Sequence, residues 1–406
     1  MPRPAEETTT VASERPEPFD EAALIAAACR KAGLTKFGDE AFRAPLGVLL
    51  ASLADAPLNA IGTTVLRASI RRSLVQRLLA EDWFTRHPEI ADERIESPLV
   101  VIGMMRSGTT LMQRLLSRDP RSYCAYGWEI GEPAPRAGTR WDEPDPRIPD
   151  GEARTQQMRD FAPELFAIHP TNALEADEEI VFLADAFLSH IPEASCHVPA
   201  YRAWLDDQDF TPAYHYLQRM LQFLQWQKRQ RGEHKQRWVL KTPAHVGYLD
   251  TLFSVFPDAH VIHMHRSPLE TIPSGASLNH TLWRMYADDV DPVEVGGQWI
   301  ERMAWATRRG LQSRDHLAFA AQRFSDVWYR DAVSDPLMQV ERIYHAIGLE
   351  FVPEARSAME SWLAADARNE HTAHRYSAAQ FGLSDSGIRE VFADYITRFV
   401  DPYEAD

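Results

Sequence analysis

The stretch from Pro98 to Pro120, PLVVIGMMRSGTTLMQRLLSRDP, constrains this chain more than any other. Leu99–Val100–Val101–Ile102 reads as a buried strand. It runs into a loop bounded by Gly103 and Gly108, and an apolar helix follows over Thr110–Leu116. In that order the three pieces make a nest of backbone N–H groups at a helix N-terminus, a site for an anion. The pattern departs from the nucleoside-triphosphate loop G-x-x-x-x-G-K-[ST] at one place. Thr109 stands where the lysine belongs, and a cation appears inside the loop at Arg106. Without a lysine to reach the β- and γ-phosphates, ATP or GTP hydrolysis is disfavoured. Arg106 and the hydroxyls of Ser107, Thr109 and Thr110 suit a 5′-phosphate whose leaving partner is not another phosphate.

A second anion site follows in HRSPLETIPSG. Arg266 closes an apolar strand, Pro268 fits a helix first turn, and Ser274 comes eight residues after the arginine. A guanidinium fork and a hydroxyl can hold a phosphate there. Between the two sites, RWVLKTP (237–243) reads as another strand and turn, HVGYLDTLFSVFP as a helix stopped at Pro257, and AHVIHMHRSP as a third strand. Strands alternating with helices predict an α/β fold with a parallel sheet flanked by helices on both faces. One ligand lying across the carboxyl ends of such a sheet would reach both cradles.

Around this centre the chain is predominantly helical. EAALIAAACRKAG, APLGVLLASLADA and ASIRRSLVQRLLAEDWFTRHPEI carry apolar stripes at three- and four-residue spacing. They predict an N-terminal helical extension over 20–96, after a Pro-rich, acidic leader over 1–19 that reads as disordered. The catalytic domain is expected over 97–406, with a helical insertion at about 124–236. In that insertion TPAYHYLQRMLQFLQWQKRQRG offers Thr211 as N-cap, Pro212 in the first turn and Gly232 past the end.

Composition excludes several classes. A formal net charge of −16 over 406 residues disfavours general binding to nucleic acid or anionic membranes, so an anionic ligand must be drawn by local cations. Cys29, Cys124 and Cys196 are widely spaced with no C-x-x-C pair, which predicts reduced thiols, no disulfide frame and no zinc site. No apolar run is long enough to span a bilayer and the N-terminus lacks a signal-peptide pattern, giving an expectation of a cytoplasmic protein outside the membrane. A homodimer is left open.

The two cradles, the VLKTP between them and VWYRDAVSDPLMQVERIYHAIGLEF after them resemble the sulfotransferases that use 3′-phosphoadenosine 5′-phosphosulfate (PAPS). The similarity is greatest to the bacterial branch with a helical N-terminal extension, and it spans roughly residues 98–400. It implies a P-loop-like fold and metal-independent, in-line sulfuryl transfer to an acceptor. On that resemblance Arg106, Ser107, Gly108, Thr109 and Thr110 bind the 5′-phosphosulfate, and Arg266 and Ser274 the 3′-phosphate. Tyr329 matches the aromatic of a Y-x-D-L-type motif near the adenine, with Ala332 in place of the leucine. HRYSAAQFGLS is similar to a loop that closes over the nucleotide, where Arg375 would add a cation. Lys241 and Arg106 would stabilise the leaving and bridging oxygens.

An acceptor hydroxyl also needs a general base. Cytosolic relatives place a histidine directly after the K-T pair, but this chain has Pro243. Glu129, His169 and His245 compete for the role, in that order of preference. Glu129 beside Trp128 can be desolvated, and the imidazoles titrate near neutrality. Glu178 and Glu179 read as dipole partners in a solvated turn. The aromatic-rich insertion predicts a cleft for a hydrophobic alcohol or phenol, although most of its rings must be core. A small-molecule kinase and a non-catalytic nucleotide-binding protein remain as rivals.

Overall fold

A computed structural model describes residues 18–366 and 376–404. Five strands form one wholly parallel sheet: β1 (Leu99–Gly103), β2 (Ser122–Tyr123), β3 (Arg237–Lys241), β4 (His260–His265) and β5 (Phe324–Trp328). Their order is β2-β3-β1-β4-β5, so the strand feeding the glycine loop is central. Successive residues of β1 serve opposite faces. Leu99 and Val101 pack with Ile262, Met264 and Val327, whereas Val100 and Ile102 pack with Leu240 and Val261. Both faces are apolar because helices cover both, as the uninterrupted apolar runs predict.

The register decides what meets at the carboxyl edge. Val101 pairs with Lys241 of β3, and Gly103 with Met264 of β4. The glycine loop therefore emerges between the end of β3, which carries Lys241, and the end of β4, which delivers Arg266. Helix α4 (Thr109–Leu116) leaves the loop and returns along the sheet. β2 and β5 were not expected from the sequence. β2 has two residues, too few for a periodic signal, and β5 mixes Ser325 and Asp326 into its apolar run.

The N-terminal segment forms α1 (Glu21–Ala32), α2 (Arg43–Ala54) and α3 (Ala60–Arg86). Asp20 and Asn59 cap α1 and α3 by accepting from Ala23 N (2.6 Å) and Gly62 N (2.8 Å). Leu24, Leu46, Leu74 and Leu78 share one apolar cluster with Phe182, Leu217, Leu221 and Phe223 of the insertion. Packing is thus continuous from the extension into the insertion. Phe19, at the end of the leader as drawn, is buried in the same cluster; residues 1–17 lie outside those described.

Two local expectations are corrected. The insertion's long helix, Thr211–Gln230, is preceded by Phe210 at the cap position. Thr211 is already helical, and Asp209 accepts its N–H at 2.8 Å. The segment after Thr242 is not one helix: a 3-10 turn over Pro243–Tyr248 precedes a helix over Leu249–Val255. Pro243 starts the tighter turn, which draws His245 back against the sheet.

Candidate active site

The glycines of the loop answer to close approach. A Cβ on Gly103 would lie 2.6 Å from the Met264 carbonyl oxygen and from Ser107 Oγ, and one on Gly108 would lie 2.8 Å from the Tyr329 ring. Gly108 also has φ 91°, and between the glycines Arg106 adopts φ 74°. A left-handed arginine costs on the order of 1 kcal/mol, strain of the kind stored at binding loops. Ser107 Oγ is fully buried with no hydrogen-bond partner among the described residues. A buried hydroxyl without a partner is costly, and an anion seated in this loop would satisfy it. The cradle and the orphaned hydroxyl both fit a phosphate or phosphosulfate.

The two anion cradles form one cluster. Arg106 Nε donates to Ser274 Oγ at 3.2 Å, and Arg266 Nη1 donates to the Arg106 carbonyl at 3.0 Å. The Arg266 guanidinium lies 4.0 Å over the Tyr329 ring. Tyr329 stands directly after β5, and Ser274 lies on the helix Pro268–Tyr286. Burial pulls Arg106 below the usual guanidinium range and the neighbouring Arg266 acts in the same direction, which favours a dianion between them. Behind the sheet, His265 Nε2 meets Asp326 at 2.7 Å, and Arg314 pairs with the same carboxylate at 2.7 and 2.9 Å. That buried pairing fixes the end of β4 and so the origin of Arg266. His263, His265 and Asp326 place possible metal-ligating atoms within 4.8 Å of one another, but the Arg314 guanidinium already supplies a cation, 3.0 Å from His263 Nδ1. Arg375 lies outside the described residues.

Lys241 is buried at the loop's other flank. Its ammonium contacts the Glu178 carboxylate and lies 3.3 Å from Thr110 Oγ1. Glu178 and Glu179 are not a solvated turn. Glu179 is 1% exposed, accepts the Lys241 N–H at 2.9 Å and meets His245 Nε2 at 2.9 Å. His245 Nδ1 is in turn 2.6 Å from the Tyr214 hydroxyl. Both nitrogens of this fully buried imidazole are therefore engaged behind β3. Sequence reading missed these partners because the acids are over 60 positions from the groups they meet. Four acids in EADEE give no hint of which two turn inward.

The three candidate bases separate by position. Glu129 Oε1 pairs with Lys228 Nζ at 2.6 Å, and Oε2 accepts the Tyr126 N–H at 2.9 Å. Both oxygens of the first-ranked candidate are engaged in a buried ion pair and a helix cap, so its preference falls on geometric grounds. His245 is sealed in its own network. His169 is half-buried at the end of the short helix Pro163–Ile168 and lines a cavity of about 390 Å³ together with Glu178 and Met105. Burial depresses its pKa, opposed by Glu178 and assisted by Lys241, so the imidazole is held neutral. Arg106 Nη1 donates to the Ile168 carbonyl at 3.1 Å, tying the anion loop to the residue before His169. A second cavity of about 270 Å³ also reaches His169.

The larger cavity is mainly apolar, but its tryptophans lie outside the insertion. Trp283, Trp299 and Trp305 line it, from the helices Pro268–Tyr286 and Pro292–His316. Most of the insertion's rings, including Phe182, Tyr201, Phe210, Tyr214 and Phe223, are core.

The model of the sulfotransferase family matches residues 98–354. The chain belongs to that family. It is 24% identical over 307 residues to the omega-hydroxy-beta-dihydromenaquinone-9 sulfotransferase Stf3 of Mycobacterium tuberculosis, covering 74% of this chain and 75% of the relative. The crystal structure of sulfotransferase STF1 from M. tuberculosis superposes with a TM-score of 0.82 at 31% identity, covering 94% of this chain and all of the other. STF9 from Mycobacterium avium gives 0.85 at 25% identity, covering 96% and 98%. The sulfotransferase is thus an α/β enzyme whose parallel sheet and flanking helices are shared with those structures. No helix among its described residues is long and apolar enough to cross a membrane, and Cys29, Cys124 and Cys196 are free thiols.

Proposed function

We propose that this sulfotransferase moves a sulfuryl group from PAPS to the hydroxyl of a hydrophobic small molecule. The observation that carries the reading is the hydrogen bond from Arg106 to Ser274, which joins the two cradles into one site with two anion-binding faces. The loop amides, Ser107, Thr109 and Thr110 hold the 5′-phosphosulfate, while Arg266 and Ser274 hold the 3′-phosphate and Tyr329 the adenine edge. PAPS supplies the sulfuryl group; the chain's own groups bind, orient and neutralise. Lys241 and Arg106 bring positive charge to the oxygens that gain charge as the S–O bond breaks, where fixed cations stabilise the transition state most.

His169 takes the acceptor's proton. It is neutral, faces the acceptor cavity, and sits beside Glu178, which stabilises the imidazolium that forms. The apolar walls of the cavity favour a hydrophobic acceptor. The lipid-like acceptor in the mycobacterial relative's name is in keeping with this.

Thermal unfolding with 3′-phosphoadenosine 5′-phosphate (PAP) tests the donor half, because a ligand of the native state raises the midpoint by linkage. A rise with PAP, with turnover of PAPS and a hydrophobic alcohol unaffected by chelator, is expected. A folded sample indifferent to PAP would falsify the reading.

A further inference from the structure

The helix Pro268–Tyr286 runs from the anion site along the wall of the acceptor cavity. Ser274 stands at the arginine cluster, while Leu278, Asn279, Leu282 and Trp283 line the cavity. At about 1.5 Å rise per residue, Asn279 lies about 7.5 Å along the axis from Ser274. Asn279 is the exception on this face: a polar side chain, 3% exposed, between apolar neighbours.

Its orientation is settled by one bond. Asn279 Nδ2 donates to the Gly275 carbonyl at 2.8 Å, one turn back in the helix. Turning the amide over would set its oxygen against that carbonyl oxygen, so the nitrogen faces the helix and Oδ1 is the other end. No donor among the described residues reaches Oδ1, and this oxygen is not one of the fully buried unpartnered atoms, so it is open to the cavity that Asn279 lines. A ligand that fills the cavity displaces water from this oxygen, so one that brings a donor is favoured over one that leaves the oxygen unpaired.

We infer that Asn279 is a specificity residue that reads a second hydrogen-bond donor, a hydroxyl or amine, on the body of the acceptor. This rests on the acceptor-cavity reading above and narrows it from a hydrophobic alcohol to an elongated apolar molecule with two polar groups. One group is sulfated beside His169 and the other is bound at Asn279. A site built to bond a hydroxyl discriminates against the analogue lacking it more strongly than an apolar pocket distinguishes one methylene.

Matched alcohols test it. Turnover of α,ω-alkanediols from butanediol to dodecanediol is compared with that of the corresponding 1-alkanols, in wild type, Asn279→Leu and Asn279→Ala. Wild type is expected to prefer diols by about tenfold or more in kcat/KM, the worth of one buried hydrogen bond, with an optimum at one chain length. Both variants are expected to lose the preference while keeping 1-alkanol turnover and the PAP-induced rise in Tm. Equal turnover of matched pairs by wild type overturns the assignment, as does a preference that survives in both variants. If PAP binds but no alcohol of either series is turned over, the acceptor reading fails and this inference with it. If PAP does not bind, the donor reading has failed separately.

Discussion

The anion cradle and the apolar cavity adjoin, the first at Arg106 and the second at the preceding Met105, yet they are made in opposite ways. The cradle is two short segments, the turn after β1 and the end of β4 with its following helix, with positive-φ backbone, an orphaned buried hydroxyl and two arginines bonded into each other's surroundings. The cavity is assembled from side chains as distant in sequence as Met105 and Ala306, with apolar walls and few polar groups. The contrast indicates where each kind of specificity resides. On the proposed function, backbone and arginine geometry would fix the donor through short contiguous motifs, whereas the acceptor would be selected by packing, which leaves none. Perturbing the first should therefore abolish binding, and perturbing the second should redirect it.

The largest break is expected on the donor side. Arg106→Ala and Arg266→Ala should each lower kcat/KM by about a hundredfold or more and remove the PAP-induced rise in Tm, since charged donors to a transferring group carry such effects. Near-normal turnover in either variant would remove that arginine from the site.

Next comes the junction itself. His169→Asn should cost about a hundredfold in kcat, the usual scale for a general base. The sign of the pH dependence follows from burial, which holds the His169 pKa below the ordinary 6.5. As the proposed base, His169 is neutral above its folded value, so activity is expected to persist through pH 6.5 and to fall only on further acidification. An acid limb retained by the Asn variant would assign the proton acceptor elsewhere. Lys241→Met should also abolish turnover, and it leaves Glu178 without its ammonium partner. Loss of activity with PAP binding retained is the outcome that places Lys241 in transfer rather than in donor affinity.

The smallest effect on chemistry is predicted for Glu129→Gln. Removing one partner of its buried pair with Lys228 should destabilise the fold by about 3–5 kcal/mol, seen in chemical denaturation, with kcat within about twofold for the folded fraction. A large loss of kcat at unchanged stability would restore Glu129 as a candidate base.

What could be read from sequence follows the same division. The glycine loop, the three principal strands and the helical stripes were legible because each is a local pattern: an apolar run, a period, a glycine spacing. Arg106, Arg266 and Ser274 could be named because the anion motifs are short and contiguous. The partners of Glu178 and Glu179 were not legible, since which of four adjacent acids turn inward depends on β3 arriving beside them. Glu129 misled for the same reason, as nothing near it reveals Lys228 almost a hundred positions on. The tryptophans of the cavity lie on helices that sequence alone had no cause to bring over His169.

The central claim is that the two cradles grip one nucleotide at both ends. Calorimetric titration of the wild-type enzyme and Arg266→Ala with PAP and with adenosine 5′-phosphate tests it most directly. PAP should bind wild type more tightly than the monophosphate, by about tenfold or more for one charge-assisted contact, and the substitution should erase that difference. Equal affinity of wild type for the two nucleotides would contradict the account.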